Sequence, residues 1–496
     1  MRILLASAEV HPYSKSGGLA DMAGALGKWL GRAGHQVGVV TPLYRGIFER
    51  FPQIKKLDYW IDVPLGSYRT QAEVWTLEPS EGVTIYFVHQ PLLYDRAGLY
   101  QENGLDYPDN AQRFIFLSKA VAHLARYLPL HPEIVHVHDW QVGLVPILMQ
   151  HQKLTEGWGA VPGTCLTIHN LAYQGSFPRS AYSFTNLPPD YFNPNGVEFY
   201  AQLNCLKAGI AYADIITAVS PRYAREITTP AFGCSLDGVL RRRADSLVGI
   251  LNGVDYEEWN TTHNPYLKHP FAFDDTNGAP ASGGSPPLEG KLTTKLDLQS
   301  EMGLPQDPHV PLFANITRLT DQKGVDIQLG ALEEMLAANL QFVLLGNGNS
   351  FFENAYQTLA RRFPKKVAAR IGFDAALSHR IEAASDFYLM PSRYEPCGLN
   401  QMYSLRYGSI PIVRLTGGLD DSVIDIAEDQ EHANGIKFSE YSVRALAKAI
   451  RKALVLFQTP ELLEHYRGNA MRADFSWKRT AESYVQAYQR VVGKLR

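Results

Sequence analysis

The chain has 496 residues, 45% of them hydrophobic and 20% charged, which supports two or three domains with their own cores and excludes global disorder. Its net charge of -3 gives no electrostatic footing for a nucleic-acid partner, and its four cysteines, Cys165, Cys205, Cys234 and Cys397, lack the CxxC spacing of a zinc site or the pattern of a disulfide framework. The apolar run RILLASA begins at Arg2 and no apolar stretch reaches the ~20 residues of a membrane span, so the expectation is a cytoplasmic chain with no targeting segment and no membrane partner.

In chain order, residues 2–8 read as a strand, followed by a turn and the loop KSGG, then a helix over residues 19–32 with Leu19, Met22, Ala23, Leu26 and Leu30 at helical spacing, and a strand over 36–41. This is a βαβ opening with its loop at the carboxyl end of the first strand, where ligands of open α/β sheets bind. Lys15, Gly17 and Gly18 in that loop offer an ammonium and backbone N–H groups to a phosphate or a sugar hydroxyl, and Asp21 falls in the first helical turn, where a carboxylate is favoured. The glycines match neither GxGxxG nor GxxxxGK[ST], so a nicotinamide or P-loop site is disfavoured.

Residues 57–90 alternate as strands, and a short strand over 134–137 runs into His136, His138, Asp139 and Trp140. The two histidines share a face but lack a third ligand, so no metal is expected. Asp139 and Trp140 are sugar-facing candidates, a carboxylate for hydroxyls and a ring for stacking, or else a helix cap and a core aromatic. The strand over 164–168 delivers His169 and Asn170 to a loop that breaks at Gly175, an arrangement that favours a polar pocket. Arg241, Arg242 and Arg243 read as a solvated face ahead of a strand that ends in NGVD.

Composition then shifts. The stretch from about 268 to 292 contains FDDTNGAPASGGSPPLEG and reads as a flexible connection, with the domain boundary just ahead of it near Asp255. The expected domains are residues 1–255 and 256–475, closed by a tail helix over 476–496.

The second half repeats the grammar. Strands over 311–317, 341–345, 367–371 and 387–390 alternate with helices over 324–337, 351–362 and 378–384, a second doubly wound α/β unit. Arg318 and Lys323 stand at the end of its first strand, where a planar fork and a point charge suit a diphosphate. Further on, PSRYEPCGLNQ sets Glu395 and Cys397 on a Pro-bounded turn, opens a helix at Gly398, and leads through a short strand to Gly417 and Gly418. Such a layout suits an anion beside a carboxylate.

Taken together, KSGGLAD, HDW, TIHNLAYQG, NGVD, ITRLTDQKG, PSRYEPCGLNQ, RLTGGL and the DFSW tail resemble the bacterial glycogen synthase and plant starch synthase family, in this order and over nearly the whole chain. The resemblance implies an α/β GT-B fold, two Rossmann-like doubly wound domains facing across a cleft, with a C-terminal helix crossing back to the first domain. It implies a retaining glucosyltransferase with ADP-glucose and an α-1,4-glucan as its partners and no cofactor. Residue by residue, it places Lys15, Gly18 and Asp21 at the donor, His169 beside the transferred glucose, and Arg318 and Lys323 on the diphosphate. Glu395 matches the essential carboxylate, with Cys397, Gly398 and Leu399 in its loop, Gly417 and Gly418 as backbone donors, and Phe373 stacked on adenine. The chain departs from the family at Ser16, where Thr is common, at Asn349, where Asp is, at Phe373, where Tyr is, and in the insertion at 270–290.

Retaining glycosidases use two carboxylates about 5 Å apart. The motifs here supply one, Glu395, so the expected chemistry is a same-face substitution in which the leaving phosphate helps deprotonate the acceptor. A related enzyme using UDP-glucose or another acceptor, and a noncatalytic glucan-binding protein, share these features.

Overall fold

A computed structural model describes residues 1–272 and 288–495. The chain divides into one unit of Met1–Gly253 with the C-terminal segment from Trp477, and a second of Val254–Ser476. Most of the compositionally biased stretch, residues 273–287, lies outside the described residues, but Glu289, still inside that stretch, opens the helix Glu289–Glu301.

The first unit is built on a nine-stranded sheet in the order Leu247–Gly249, Ile215–Ala218, Gly163–Ile168, Ile134–His138, Arg2–Ala6, Gln36–Pro42, Val83–His89, Tyr68–Ser80 and Lys55–Leu65. The first seven run parallel, and the central ones, Gly163–Ile168, Ile134–His138 and Arg2–Ala6 past its first residue, are buried on both faces, as a sheet covered by crossover helices requires. Tyr68–Ser80 and Lys55–Leu65 join antiparallel at one edge and alternate between buried and exposed residues, so one face of each meets water.

Helix Gly18–Arg32 lays Leu19, Met22, Ala23, Leu26 and Leu30 into the core at a spacing of three to four residues. Helix Asn110–Tyr127 is buried almost all round, and its polar side chains are satisfied internally: Arg113 donates to the carbonyls of Leu93 and Leu99, and Lys119 to Pro64 O and Asn186 Oδ1. Arg243 is not the solvated cation that its run suggested. Its guanidinium donates to the carbonyls of Ile210, Ala211 and Ala213, closing the open end of helix Cys205–Tyr212.

The C-terminal helix Trp477–Leu495 packs on helix Gly18–Arg32 and strand Gly163–Ile168 of this unit, burying Trp477, Ala481, Tyr484, Tyr488 and Val491. One polar chain runs through that apolar seam. The Tyr488 hydroxyl lies 2.7 Å from His136 Nδ1, His136 Nε2 lies 2.6 Å from Thr167 Oγ1, and Thr167 Oγ1 lies 2.6 Å from Thr217 Oγ1.

The second unit holds a six-stranded, wholly parallel sheet in the order Val367–Ile371, Gln341–Gly348, Leu312–Leu319, Phe387–Met390, Ile410–Arg414 and Ile436–Phe438. Numbered along the chain this is 3-2-1-4-5-6, the dinucleotide-fold order. Asp386, just before the fourth strand, is buried between Lys295 of helix Glu289–Glu301 and Arg467 of helix Pro460–Arg472 at 2.7 and 2.6 Å and also accepts the Leu312 N–H, so one carboxylate ties two helices to the start of two strands. Trp259 is stacked between Tyr403 and His379, with ring centroids 3.7 and 4.1 Å away.

In both sheets the first strand lies beside the fourth parallel strand, and there successive connections turn to opposite sides. Helices cannot fill the crevice this leaves at the carboxyl ends. Tyr488→Phe tests the buried polar chain by leaving His136 Nδ1 without its donor. It is expected to cost the first unit about 1–3 kcal/mol in denaturant unfolding with unchanged far-UV circular dichroism; an unaltered midpoint would contradict the assignment.

Candidate active site

At the switch point of the first unit, the loop after Arg2–Ala6 is organised by Glu9, 3% exposed. Its carboxylate accepts the Ser16 hydroxyl at 2.6 Å, the backbone N–H groups of Ser16 and of Gly17, the latter at 3.3 Å, and the Tyr100 hydroxyl at 2.6 Å. Gln141 donates to the same Tyr100 oxygen at 3.2 Å. The loop amides of residues 16 and 17 are therefore spoken for by the protein itself, and the Gly18 N–H, at the start of its helix, has no partner among the described residues. Lys15 and Asp21 stand at the same loop, paired with each other at 2.7 Å and both partly exposed. A surface pair of this kind contributes about 0–1 kcal/mol and separates readily for a stronger anion.

Across the crevice, strand Ile134–His138 ends in Asp139, whose carboxylate accepts the His169 N–H at 2.7 Å. It caps no helix, and its side chain braces the next strand end. Burial outweighs its backbone hydrogen bonds from His169 and Asn170 and lifts its acid to about 7. Trp140 is partly buried against Phe114 and Phe177, and the space its indole fills is available because residue 175 is glycine, where a Cβ would lie 2.3 Å from the ring. His169 and Asn170 are partly buried; the Asn170 carboxamide oxygen accepts the Ala172 N–H. His169 Nε2 lies 3.2 Å from His138 Nδ1, and burial lowers His169 to about 3, as it does His136, while His138 falls well below its ordinary range.

At the switch point of the second unit, the ends of Leu312–Leu319 and Phe387–Met390 bring Lys323 onto Glu395. Lys323 Nζ meets Glu395 Oε2 at 2.6 Å, and Ser392 Oγ donates to the same oxygen at 3.0 Å. Glu395 Oε1 has no partner among the described residues, although the residue is only 6% exposed. Arg318 is exposed and its guanidinium makes no hydrogen bond or ion pair among the described residues.

The Glu395 loop is held on both sides. Arg414 donates to the carbonyls of Ser392 and Arg393, and Asn400 reaches back to Ile316 O at 2.7 Å and the Tyr388 hydroxyl at 2.8 Å. Gly417 has φ of +45°, and a Cβ there would lie 1.9 Å from Glu395 O; one on Gly418 would lie 2.1 Å from Cys397 O. These glycines let the following turn press against the Glu395 loop. The Gly418 N–H is shared by the Glu395 and Pro396 carbonyls at 3.2 Å each, so the structure spends on the loop the donor that the motif offered to a ligand. Cys397 is buried, Gly398 adopts φ of +72°, and Leu399 precedes the helix, which starts at Asn400 rather than Gly398. Phe373, past the third strand, is 86% exposed and presents an open ring.

Lys15, Gly18, Asp21, Asp139, Trp140, His169 and Asn170 thus gather at strand ends of the first unit, and Arg318, Lys323, Phe373, Glu395, Cys397, Gly398, Leu399, Gly417 and Gly418 at strand ends of the second. Glu9, Tyr100, Gln141, Ser392 and His138 were not singled out for the site. Two of these left a signal: His138 in the HDW motif, and Glu9 as an acidic residue isolated in the apolar run ahead of the glycine loop. Among the described residues no group of three His, Cys, Asp or Glu side chains is placed to hold a metal ion.

A family model described as the starch synthase catalytic domain matches residues 2–242, and one described as glycosyl transferases group 1 matches residues 302–470. The chain is 45% identical over 491 residues to a glycogen synthase of Anaeromyxobacter sp. (strain Fw109-5), with 99% of each chain covered. It is 41% identical over 492 residues to a glycogen synthase of Syntrophotalea carbinolica, again with 99% of each covered. Among solved structures it is similar to the catalytic domain of starch synthase IV from Arabidopsis thaliana bound to ADP and acarbose, at 32% identity, a TM-score of 0.88 and 99% coverage of both chains.

The perturbed groups at this crevice act on stability with opposite signs. His136 and His169 shed their protons on folding, so their contribution is complete above the ordinary 6.5 and is lost as pH falls toward about 3. Asp139 gains one, so its contribution is complete below the ordinary 3.8 and is lost as pH rises through about 7. Asp139→Asn keeps an acceptor for the backbone and removes the titration. Its melting temperature, relative to the parent, should therefore be more favourable at pH 8 than at pH 5, and an equal gap at both would contradict the buried-acid assignment.

Proposed function

The chain belongs to the bacterial glycogen synthase and plant starch synthase family, and from that membership we propose that it transfers glucose from ADP-glucose to the 4-hydroxyl at the nonreducing end of an α-1,4-glucan, with retention, in the cytoplasm. It is a glucosyltransferase with the two Rossmann-like domains of the GT-B fold. No helix among the described residues is long and apolar enough to cross a membrane. The ADP and acarbose named for the similar starch synthase IV support a nucleoside diphosphate and a glucan-like ligand here.

The observation that carries the reading is the Lys323–Glu395 contact, with the unpaired Arg318 at the same strand end. Cleaving the anomeric bond builds positive charge on the sugar and negative charge on the departing phosphate, and preorganised partners for both lower the barrier. Arg318 is free to take phosphate oxygens by its planar fork. Lys323 serves the diphosphate while holding the Glu395 carboxylate in place, and Oε1, without a protein partner, is the oxygen left for the sugar. From the first unit, Lys15 and the Gly18 amide serve the donor, His169 the transferred glucose, and Asp139, Trp140 and Asn170 the sugar-facing surface. Phe373 offers its open ring to the base by stacking. With one well-placed carboxylate, a same-face displacement in which the leaving phosphate takes the acceptor proton balances charge without a covalent glucosyl-enzyme.

A donor screen on a glucan primer, scored by chain elongation, tests this. Elongation from ADP-glucose is expected to exceed that from UDP-glucose; the reverse order would reassign the nucleotide, and glucan binding without transfer from either would remove the enzymatic reading. Glu395→Ala should lower kcat by about 10²- to 10³-fold with the fold retained. Near-normal turnover in that variant, or a glucosyl adduct trapped on a carboxylate, would overturn the mechanism.

A further inference from the structure

Three histidines lie in sequence along the carboxyl end of the first unit's central strands, and their hydrogen bonds can be assigned one proton at a time. His136, His138 and His169 are all neutral at pH 7, because burial lowers each of them far below that pH. Each ring therefore carries one N–H and one bare nitrogen. For His136 the assignment closes when the Tyr488 hydroxyl donates to Nδ1 and Nε2–H donates to Thr167 Oγ1; Thr167 then donates to Thr217 Oγ1, and Thr217 to Leu166 O at 3.4 Å. The reverse direction would leave the Tyr488 proton without an acceptor.

His138 sits against this pinned ring, with centroids 4.1 Å apart. Its Nδ1 lies 3.2 Å from His169 Nε2, and its own Nε2 is buried with no hydrogen-bond partner. One proton lies between the two rings, on one side or the other. If His169 supplied it, the proton of His138 would sit on Nε2 as a buried N–H with nothing to accept it. If His138 supplies it, the orphan is a bare nitrogen. Buried N–H groups without acceptors are the rarer of the two defects. The second arrangement also leaves His169 with its proton on Nδ1, the nitrogen that has no partner among the described residues and belongs to a partly exposed side chain. The neighbouring Asp139 accepts the His169 backbone N–H at 2.7 Å, so consecutive residues fix the backbone and the ring of the same histidine.

We propose that His138 is a positioning residue that donates its Nδ1–H to His169 Nε2, locking His169 in the Nδ1–H tautomer so that it presents a hydrogen-bond donor, and not an acceptor, to an oxygen of the bound sugar. This rests on the reading of His169 as a sugar-facing group. His138 itself touches no substrate in this account; it selects which of two chemically opposite faces His169 offers.

The proton is read directly in the intact protein by ¹⁵N NMR with labelled histidine at pH 7.5, using His169→Ala and His138→Asn to assign the signals. The expected result is a protonated Nδ1 and a bare, hydrogen-bonded Nε2 on His169; a proton on His169 Nε2 overturns the proposal, whatever the variants do. In glucan elongation, His138→Leu should lower kcat about 10-fold, the worth of one hydrogen bond near 1.4 kcal/mol, with KM for ADP-glucose changed less than about 2-fold. His138→Asn has nearly the same shape but puts an amide N–H where Nδ1–H was, and should recover to within about 3-fold of the parent. Equal losses in the Leu and Asn variants would mean that His138 only fills space, and would overturn the proposal. His169→Ala separates the two levels. If it elongates normally, the sugar-facing reading of His169 fails and this inference with it; if it is impaired while His138→Leu is not, only this inference fails.

Discussion

Each unit of this protein depends on a reversal of strand order beside its first strand. Right-handed crossovers place helices on one face of the sheet in one direction and on the other face in the opposite direction, so the two sets part where the order turns. In the first unit that point lies between Arg2–Ala6 and Ile134–His138, and in the second between Leu312–Leu319 and Phe387–Met390. Strand ends far apart in the chain become neighbours there, and the loops that follow them cannot be covered by a helix. Lys323 and Glu395 meet for this reason, although 72 residues separate them.

Carboxylates organise these loops as much as they face any ligand. Glu9 takes up the amides and hydroxyl of the glycine-rich loop, Asp139 holds the backbone of His169, and Asp386 ties two strand starts to two helices through Lys295 and Arg467. A buried carboxylate demands hydrogen bonds, and nearby loop amides supply them to Glu9 and Asp139, so these two acids also immobilise their loops. Glu395 differs in keeping one oxygen without a protein partner. The same economy explains why the Gly418 amide is turned onto the Glu395 and Pro396 carbonyls.

Regular elements with period were readable in the chain. The expected strands over 367–371 and 387–390 coincide with Val367–Ile371 and Phe387–Met390, and the helix over 19–32 with Gly18–Arg32 to one residue, because short apolar runs and helical spacing carry those signals. Helix Asn110–Tyr127 carries no periodic signal because it is buried nearly all round and has no contrasting polar face, its Arg113 and Lys119 being satisfied inside the protein. Arg243 departs from the solvated face that its charge suggests for a related reason: three carbonyls at the end of a helix take up its guanidinium.

The residue types at the strand ends, and the order of motifs that ties the chain to its family, were determined by the amino-acid sequence alone, since glycines, cations and carboxylates at fixed offsets are local properties. Which of those groups are already engaged was decided only by tertiary structure. The amide of Gly17 is taken by Glu9, that of Gly418 by two carbonyls, Lys323 by Glu395, and the inner nitrogen of His169 by His138. The physical reason is that a hydrogen bond is specified by distance and direction between groups that the chain brings together from remote positions, and spacing along the sequence carries no record of that meeting.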